Sequence, residues 1–483
     1  MSHLKTPEFT YFNTKLYPKV LLRSRVLQLI LLTGITGFAT LLRIYKLGAW
    51  SFWIDEVYNI NYAKSLWTHF SINQPSLMLI SLFLRNTEIN QFTARLIPAL
   101  IGILTIPLLY FPIRKMFGNG VALFSVFLIA ISPWHLHWSQ NSRFYSALLL
   151  FYALSVFIFY FALEEDKPAY FVLSIFFLGL AFLERKIAGF WVPVMVLYMV
   201  ALPFLKFGRP AGFSRRNLIL LTTPVILFGM YEVIVVAFAG RDPFFMGFVR
   251  NIVGYQHNPM RVLLSVIYDM GLPLFLAALL GGVFLLWKKS RAGLFLVINA
   301  ILPLVVLVVF SPFVQSFSRY VFLTLPAWTV LASVAVVELF HFVQREGFLL
   351  ALVGLVILVV DPLSQDVLYY QYQNGNRPDW SGAFQVVEEG LQPGDVVFTT
   401  RVVIGEYYLG QNEPVLWTQG LDPQKVEESG QRSWFVIDNR TGFVSSKLEK
   451  WLLTVPRLEA VKDVYIPGKT MMMRVYLYDP AHP

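Results

Sequence analysis

Two carboxylates stand side by side, Asp55-Glu56, inside the run Ser51-Phe52-Trp53-Ile54-Asp55-Glu56-Val57-Tyr58. Neighbouring carboxylates repel, and aromatic walls such as Trp53 and Tyr58 lower the local dielectric, so at least one pKa is expected to rise. A carboxyl prepared in that way acts as a general base near neutral pH. The competing description of these eight residues is an exposed acidic turn beside interfacial aromatics.

Cationic residues offer the complementary chemistry. Arg95, Arg143, Arg185, Lys186 and Arg319 lie at the ends of apolar runs, with Glu184 among them. Charges at membrane ends are expensive without partners or a task. A cluster of Arg and Lys at a membrane-level cavity suits a phosphate headgroup, which Arg grips with a bidentate fork. Taken singly, each would equally well snorkel to lipid phosphates. Tyr145 and Tyr320 stand beside two of these cations and offer hydroxyls to a phosphate or a sugar, or simply pack at the interface. His135 and His137, between Trp134 and Trp138, are read as an interfacial aromatic belt. Two histidines at this spacing share a face only in an extended segment, and no nearby carboxylate completes a metal set. Gly468-Lys469-Thr470 is rejected as a phosphate loop, because Asp463 occupies the leading glycine position and a strand is expected to follow. Asn439-Arg440-Thr441 fits a glycosylation sequon, a weak signal of three residues.

The elements that must hold these groups are membrane helices. Of the 483 residues, 56% are hydrophobic and only 14% charged, where a soluble domain is nearer about a quarter charged. The net charge of +10 does not point to nucleic acid, because Lys and Arg gather in short loops: Arg114-Lys115, Lys206 through Arg216, and Lys288-Lys289-Ser290-Arg291. That distribution is what cytoplasmic loops carry. There is no cysteine, hence no disulfide framework, thiolate nucleophile or cysteine metal site. Residues 1–25 are expected to be a cytoplasmic tail or interfacial helix. About 11 transmembrane helices are expected over residues 26–362. The first outer loop, 46–95, has helical patterning at 62–70 and 77–84, and a second, 239–261, contains Asp242, Tyr255, Gln256 and His257. Alternating basic loops put the N-terminus inside and place Asp55, Arg143, Arg319 and Trp380 on the noncytoplasmic side. From residue 363 to 483 the composition is that of an extracytoplasmic α/β domain. Strands are expected at 396–400, 414–417, 434–438 and 475–478, and helices at 380–391, 422–428 and 445–453, with a mostly parallel sheet.

These features, in this order, resemble the C-type (GT-C) membrane glycosyltransferases, especially relatives of protein O-mannosyltransferases and of the lipid A aminoarabinose transferase. Asp55-Glu56 resembles the acidic pair of that family's first outer loop. Gln74-Pro75 stands where many members carry His-Pro-Pro, a departure at Gln74. Ala94-Arg95-Leu96-Ile97-Pro98, Ser142-Arg143-Phe144-Tyr145, Ser318-Arg319-Tyr320 and Asp379-Trp380-Ser381-Gly382 are similar to later motifs of the family. The resemblance implies a GT-C fold and inverting transfer of a sugar from a polyprenyl-phosphate donor on the outer face of a plasma or inner membrane. The acceptor would be a lipid, a glycan or a protein. No Trp-Trp-Asp-Tyr-Gly run is present, which weakens the need for a divalent metal; such a metal is compatible with the reading but not required by it, and no other cofactor is called for.

Asp55 is then the expected general base and Glu56 the group that orients the acceptor or holds a cation. Arg143, Lys186 and Arg319 are expected to stabilise the departing phosphate, with Gln74, Arg95, Tyr145 and Tyr320 lining the substrate site. The alternatives are a transporter or flippase of lipid-linked sugars, which would place charges inside the spans about a midplane site, and a noncatalytic scaffold of envelope assembly.

Overall fold

The structure is a computed structural model and describes residues 24–69, 74–239, 258–342, 348–410, 414–438, 443–466 and 469–481. The expected N-terminal interfacial segment, the loop residues Asp242, Tyr255, Gln256 and His257, and the sequon Asn439-Arg440-Thr441 lie outside the described residues.

The chain opens with α1 (Arg25–Ile44), capped by the Ser24 hydroxyl. The outer-loop helices α2 (Ile54–Ser65) and α3 (Pro75–Leu84) follow, then α4 (Gln91–Phe117). Next come α5 (Asn119–Ala130), α6 (Pro133–Ser139), α7 (Tyr145–Glu165), α8 (Pro168–Glu184), α9 (Trp191–Phe204) and α10 (Arg215–Ala239). The bundle continues through α11 (Pro259–Met270), α12 (Leu272–Trp287), α13 (Arg291–Phe310), α14 (Leu325–Phe342) and α15 (Phe348–Gln371). Among the described residues, seven helical stretches are long and apolar enough to cross a membrane, or nine if two bent pairs count as spans. The bent pairs are α5 with α6, at 59°, and α11 with α12, at 95°. Every span read from hydropathy falls on a helix or a bent pair, although α8, at 17 residues, is shorter than an ideal span. The sharper bend sits at Gly271, whose φ of +92° favours glycine, and where a Cβ would come within 2.9 Å of the Asp361 carboxylate.

The bundle has two chemically different ends. At one, Arg291 grips Glu164 (Nη2–Oε2 2.6 Å), Arg216 meets Asp166 (3.2 Å) and Lys115 pairs with Glu165. These residues sit at the C-terminal end of α7 and in the turns around it. At the other end, where α7 begins, lie Asp55, Arg95, Arg143, Glu184 and Arg319.

In the outer loop, α2 starts eight residues before the expected helix at 62–70. Ile54, Val57, Ile60 and Ala63 recur every third residue, and all four are buried. Their stripe does not face lipid. It joins Leu77 and Ile80 of α3 in one core with Trp380, Phe384, Val397 and Trp434 of the C-terminal region. That region contains α16 (Trp380–Gly390), β1 (Val396–Thr399), α17 (Val402–Leu409), β2 (Val415–Trp417), α18 (Pro423–Ser429), β3 (Ser433–Asp438) and α19 (Ser446–Leu452). It ends with β4 (Arg457–Val461), β5 (Val464–Ile466), β6 (Lys469–Met471) and β7 (Met473–Tyr478). The main sheet has the order β2-β1-β3-β7-β4. β1 is parallel to β2 and β3, whereas β7 is antiparallel to β3 and β4. The sheet is therefore mixed, with β7 alone running against the other four strands. Helices α17, α18 and α19 connect β1, β2, β3 and β4 in turn, the crossovers that strands of one direction need. The last four strands follow one another through short turns, with β5 and β6 forming a small antiparallel pair of their own.

Candidate active site

Glu56 occupies the third position of α2, from which its side chain reaches back to accept from the Trp53 N–H at 3.0 Å. It is fully buried. Arg95 of α4 clamps it through two bonds, Nε to Oε1 at 2.8 Å and Nη2 to Oε2 at 2.9 Å. The Ser142 N–H donates to Oε1 at 2.8 Å, and Arg377 Nε stands 3.4 Å from Oε2. Burial alone would push this carboxyl up, but Arg95, Arg377 and the Ser142 N–H outweigh it and hold the pKa at about 2. The expected rise therefore does not occur at Glu56. With no exposed surface, Glu56 also cannot touch an acceptor, so the role of orienting one is corrected to that of an internal strut.

The same geometry corrects Arg95. Its remaining N–H groups donate to the carbonyls of Leu47 (3.1 Å), Trp50 (3.0 Å) and Ser51 (2.9 Å). Every guanidinium donor is committed, which leaves none for a phosphate. Arg95 holds the entry to α2 in place instead.

One residue earlier, Asp55 points elsewhere, because neighbours on a helix face directions about 100° apart. Its side chain is 32% exposed, and its Oδ2 lies 3.6 Å from Arg143 Nη2. Arg143 also donates to the Asp55 carbonyl (3.1 Å) and to Asn59 Oδ1 (3.2 Å). Asn59 in turn donates to the Ser142 carbonyl at 2.9 Å. The charges of Arg185 and Arg319 both reach Arg143. All three of these cations act on Tyr145, which also lies near Tyr320. Arg319 lies over the Trp53 ring at 5.7 Å and the Phe317 ring at 4.3 Å. Asp55, Arg143, Arg185, Arg319, Tyr145 and Tyr320 thus form one group at one end of the bundle.

Lys186 and Gln74 are placed differently. Lys186 is exposed and opens the short turn Lys186–Phe190, and it is its neighbour Arg185 whose charge reaches Arg143. Gln74 precedes α3 and donates to the Glu184 carbonyl at 3.0 Å. The Glu184 carboxylate accepts from the Ser76 N–H (2.7 Å) and hydroxyl (2.6 Å). These contacts pin the start of α3 to the end of α8. The two histidines lie on α6, a buried helix rather than an interfacial belt. His135 Nδ1 accepts from Arg43 Nη2 at 2.7 Å, which puts the ring proton on the other nitrogen. Among the described residues no group of three metal-binding side chains occurs.

Next to the charged group lies a cavity of ≈ 270 Å³ between the bundle and the C-terminal region. Trp53, His137, Trp138, Asn141 and Arg319 line it from the bundle, and Arg377, Trp380, Arg401 and Asp438 from the other side. Several of its lining side chains carry buried polar atoms with no hydrogen-bond partner among the described residues. These are His137 Nδ1, Trp138 Nε1, both amide atoms of Asn141, Arg319 Nε and Asn376 Oδ1. An unsatisfied buried group costs about 1–3 kcal/mol, and such a concentration around one cavity is unusual.

A solved structure of ArnT from Cupriavidus metallidurans bound to undecaprenyl phosphate is similar over 94% of this chain and 98% of that one, at 14% identity and a TM-score of 0.60. The chain has the GT-C fold. The oligosaccharyltransferase of Archaeoglobus fulgidus in its apo form is similar over 86% of this chain and 70% of that one, with 14% identity and a TM-score of 0.59. Residues 76–228 match the family described as dolichyl-phosphate-mannose-protein mannosyltransferase. No curated protein sequence matches the chain. Together these make the chain an integral membrane protein of mainly helical GT-C architecture with a small C-terminal sheet domain.

Within this GT-C bundle the residues that sequence reasoning missed are those joined over long separations. Arg377, fully buried, donates to the Gln140 carbonyl (2.7 Å) and to the Gly375 carbonyl (2.9 Å). Gln140 donates to the carbonyls of Arg43 (3.1 Å) and Tyr45 (2.8 Å) and accepts from the Tyr369 hydroxyl at 3.0 Å. Gly375, with φ +61°, has no room for a Cβ, which would lie 2.7 Å from both Arg377 and Trp50. Ser51 bonds Ser381, and the Phe52 N–H donates to the Tyr408 hydroxyl at 3.1 Å. The acidic loop is thereby tied to the C-terminal region at Ser381 and Tyr408 as well as at Arg377. The one available signal was the Gly375-Asn376-Arg377-Pro378 turn ahead of α16, a charged residue beside a tight turn.

Proposed function

We propose that the chain is an inverting membrane glycosyltransferase that moves a sugar from a polyprenyl-phosphate donor to a lipid, glycan or protein acceptor on the noncytoplasmic face of the cell membrane. One observation carries this reading: a partly exposed carboxylate, Asp55, stands beside a convergence of Arg143, Arg185 and Arg319 at one end of a GT-C bundle. ArnT, which shares the fold, is seen bound to undecaprenyl phosphate, a ligand whose charged end needs such cations.

In this reaction the acceptor hydroxyl or amine attacks the anomeric carbon while the carbon–oxygen bond to the donor phosphate breaks. The acceptor proton passes to Asp55. The phosphate leaves with the bonding pair, and its added charge is met by Arg143, Arg185 and Arg319. Attack opposite the leaving group inverts the anomeric centre. Tyr145 and Tyr320 offer hydroxyls to the phosphate oxygens. Glu56 and Arg95 take no proton and touch no substrate; they fix the start of α2, and with it Asp55. Lys186, exposed beyond Arg185, meets the donor headgroup as it arrives from the lipid. The basic end of the bundle, around Lys115 and Arg291, faces the cytoplasm. Incubating the purified chain with lipid-phosphate sugars and following release of free lipid phosphate tests the proposal. Release that depends on acceptor and on Asp55 is expected, and donors left intact by a folded protein would refute it.

A further inference from the structure

The GT-C cavity beside the arginines is chemically unlike a phosphate site or a lipid groove. Its orphaned atoms mix donors with acceptors: the Trp138 indole N–H and Arg319 Nε donate, Asn376 Oδ1 accepts, and the Asn141 amide does both. Asp438 on the far wall stands 3.7 Å from Arg401, and both side chains are almost wholly buried. A phosphate, which only accepts, would leave Asn376 Oδ1 unmatched and would face the Asp438 carboxylate. An alkyl chain would leave the orphaned atoms of Trp138, Asn141, Arg319 and Asn376 unsatisfied. Hydroxyls both donate and accept, and a ring bearing several of them answers the whole set. The volume of ≈ 270 Å³ falls just below the range of about 300–1,000 Å³ usual for drug-sized ligands, which suits a single ring. The Trp53 and Trp138 rings flank the space and give such a ring apolar surface to lie on.

We propose that this cavity is a sugar subsite in which Asn141 and Trp138 from the bundle, with Asn376 and the Arg401–Asp438 pair from the C-terminal region, read the hydroxyls of one sugar ring. It rests on the glycosyltransferase reading and goes further, because it makes the C-terminal region a determinant of sugar specificity rather than a mere cover. The ring arrives either on the lipid phosphate or as part of a glycan acceptor. Both sources present the same hydroxyl chemistry.

The test uses the full chain in detergent and follows tryptophan fluorescence, since Trp53, Trp138 and Trp380 all line the cavity. The probes are farnesyl phosphate, its mannosyl, glucosyl, galactosyl and arabinosyl derivatives, and the four matching methyl glycosides. At least one sugar-bearing farnesyl probe is expected to bind roughly tenfold tighter than farnesyl phosphate itself, the increment of about one good hydrogen bond or two. Asn141→Ala and the near-isosteric Asp438→Asn should each bring that ratio close to one while leaving farnesyl phosphate binding unchanged, which also certifies their folding. If the ring belongs to an acceptor, a methyl glycoside will bind instead, and the same two variants will abolish it. Equal binding of all farnesyl probes together with no glycoside response overturns the subsite. Glycoside binding without any farnesyl phosphate binding sinks the lipid-phosphate reading and leaves the subsite standing.

Discussion

Replacing Glu56 by Gln separates a strut from a catalyst. Both Glu56 oxygens accept, Oε1 from Arg95 and Ser142, and Oε2 from Trp53 and Arg95. Whichever way the new amide turns, its NH2 confronts two donors, and the buried Arg95 and Arg377 lose their shared counter-charge. The carboxyl falls from 4.5 to about 2, which corresponds to about 3 kcal/mol of stability. Breaking one side of a buried ion pair costs about 3–5 kcal/mol, so the two routes agree. A carboxyl depressed in the folded state contributes stability that is complete above its unfolded pKa and drains away as pH falls from 4.5 toward about 2. Thermal unfolding of the detergent-solubilised protein, read by tryptophan fluorescence between pH 3 and pH 8, measures this. Glu56→Gln should lower Tm at neutral pH, and the gap to the parent should narrow below about pH 4.5. A variant with the parent Tm at pH 7 and a parallel acid profile would refute the strut. The loss of transfer that accompanies unfolding would also exceed the mild effect expected of a carboxylate that merely orients an acceptor.

Asp55→Asn should instead leave Tm nearly unchanged and cut single-turnover transfer by roughly 10²–10⁴-fold; near-parent turnover would move the base elsewhere. Arg143→Lys and Arg319→Lys keep the charge but lose the planar fork, so both should weaken farnesyl phosphate binding by about tenfold or more, as read by fluorescence titration. Unchanged affinity in both would remove them from the site. Single cysteines at the exposed positions Glu388 and Lys115, in a chain without native cysteine, should label oppositely with an impermeant thiol reagent in whole cells. Labelling of Lys115→Cys but not Glu388→Cys would reverse the orientation.

Hydropathy made the bundle legible because a lipid solvent forces every span to be a helix with a long apolar run. The Asp55-Glu56 pair was legible as a focus of chemistry, but not the division of labour within it. That division follows from helical phase: Ile54, Val57 and Ile60 face a core, so the residues between them are split between that core and solvent. The helix at 62–70 was placed eight residues late because the stripe begins at Ile54, beside the charged pair, and packs on α3 and α16. Arg95 read as a phosphate ligand because a lone arginine at a span end looks the same whether it meets lipid or carbonyls. The pairing of Arg377 with Gln140 was not legible, since a contact between residues 237 apart has no periodicity to betray it, and the turn at Gly375 marks only one of the two. The reversal of β7 was missed because β4, β5 and β6 ahead of it are only five, three and three residues long, too short for alternation to show.

The Arg377 contact also orders events during synthesis. Membrane helices are threaded from the N-terminus as the ribosome advances, and domains follow in the same order. Glu56, Arg95 and Ser142 are therefore at the membrane long before Arg377 leaves the ribosome, and Ser51 waits likewise for its partner Ser381, 330 residues further on. Until then Glu56 has one guanidinium instead of two, the Gln140 carbonyl lacks the Arg377 donor, and the apolar stripe of α2 has no C-terminal core to join. The nascent chain is thus an inserted bundle with an unfinished outer loop, and a chain broken off after α15 would keep the bundle but lack the contacts that fix the start of α2.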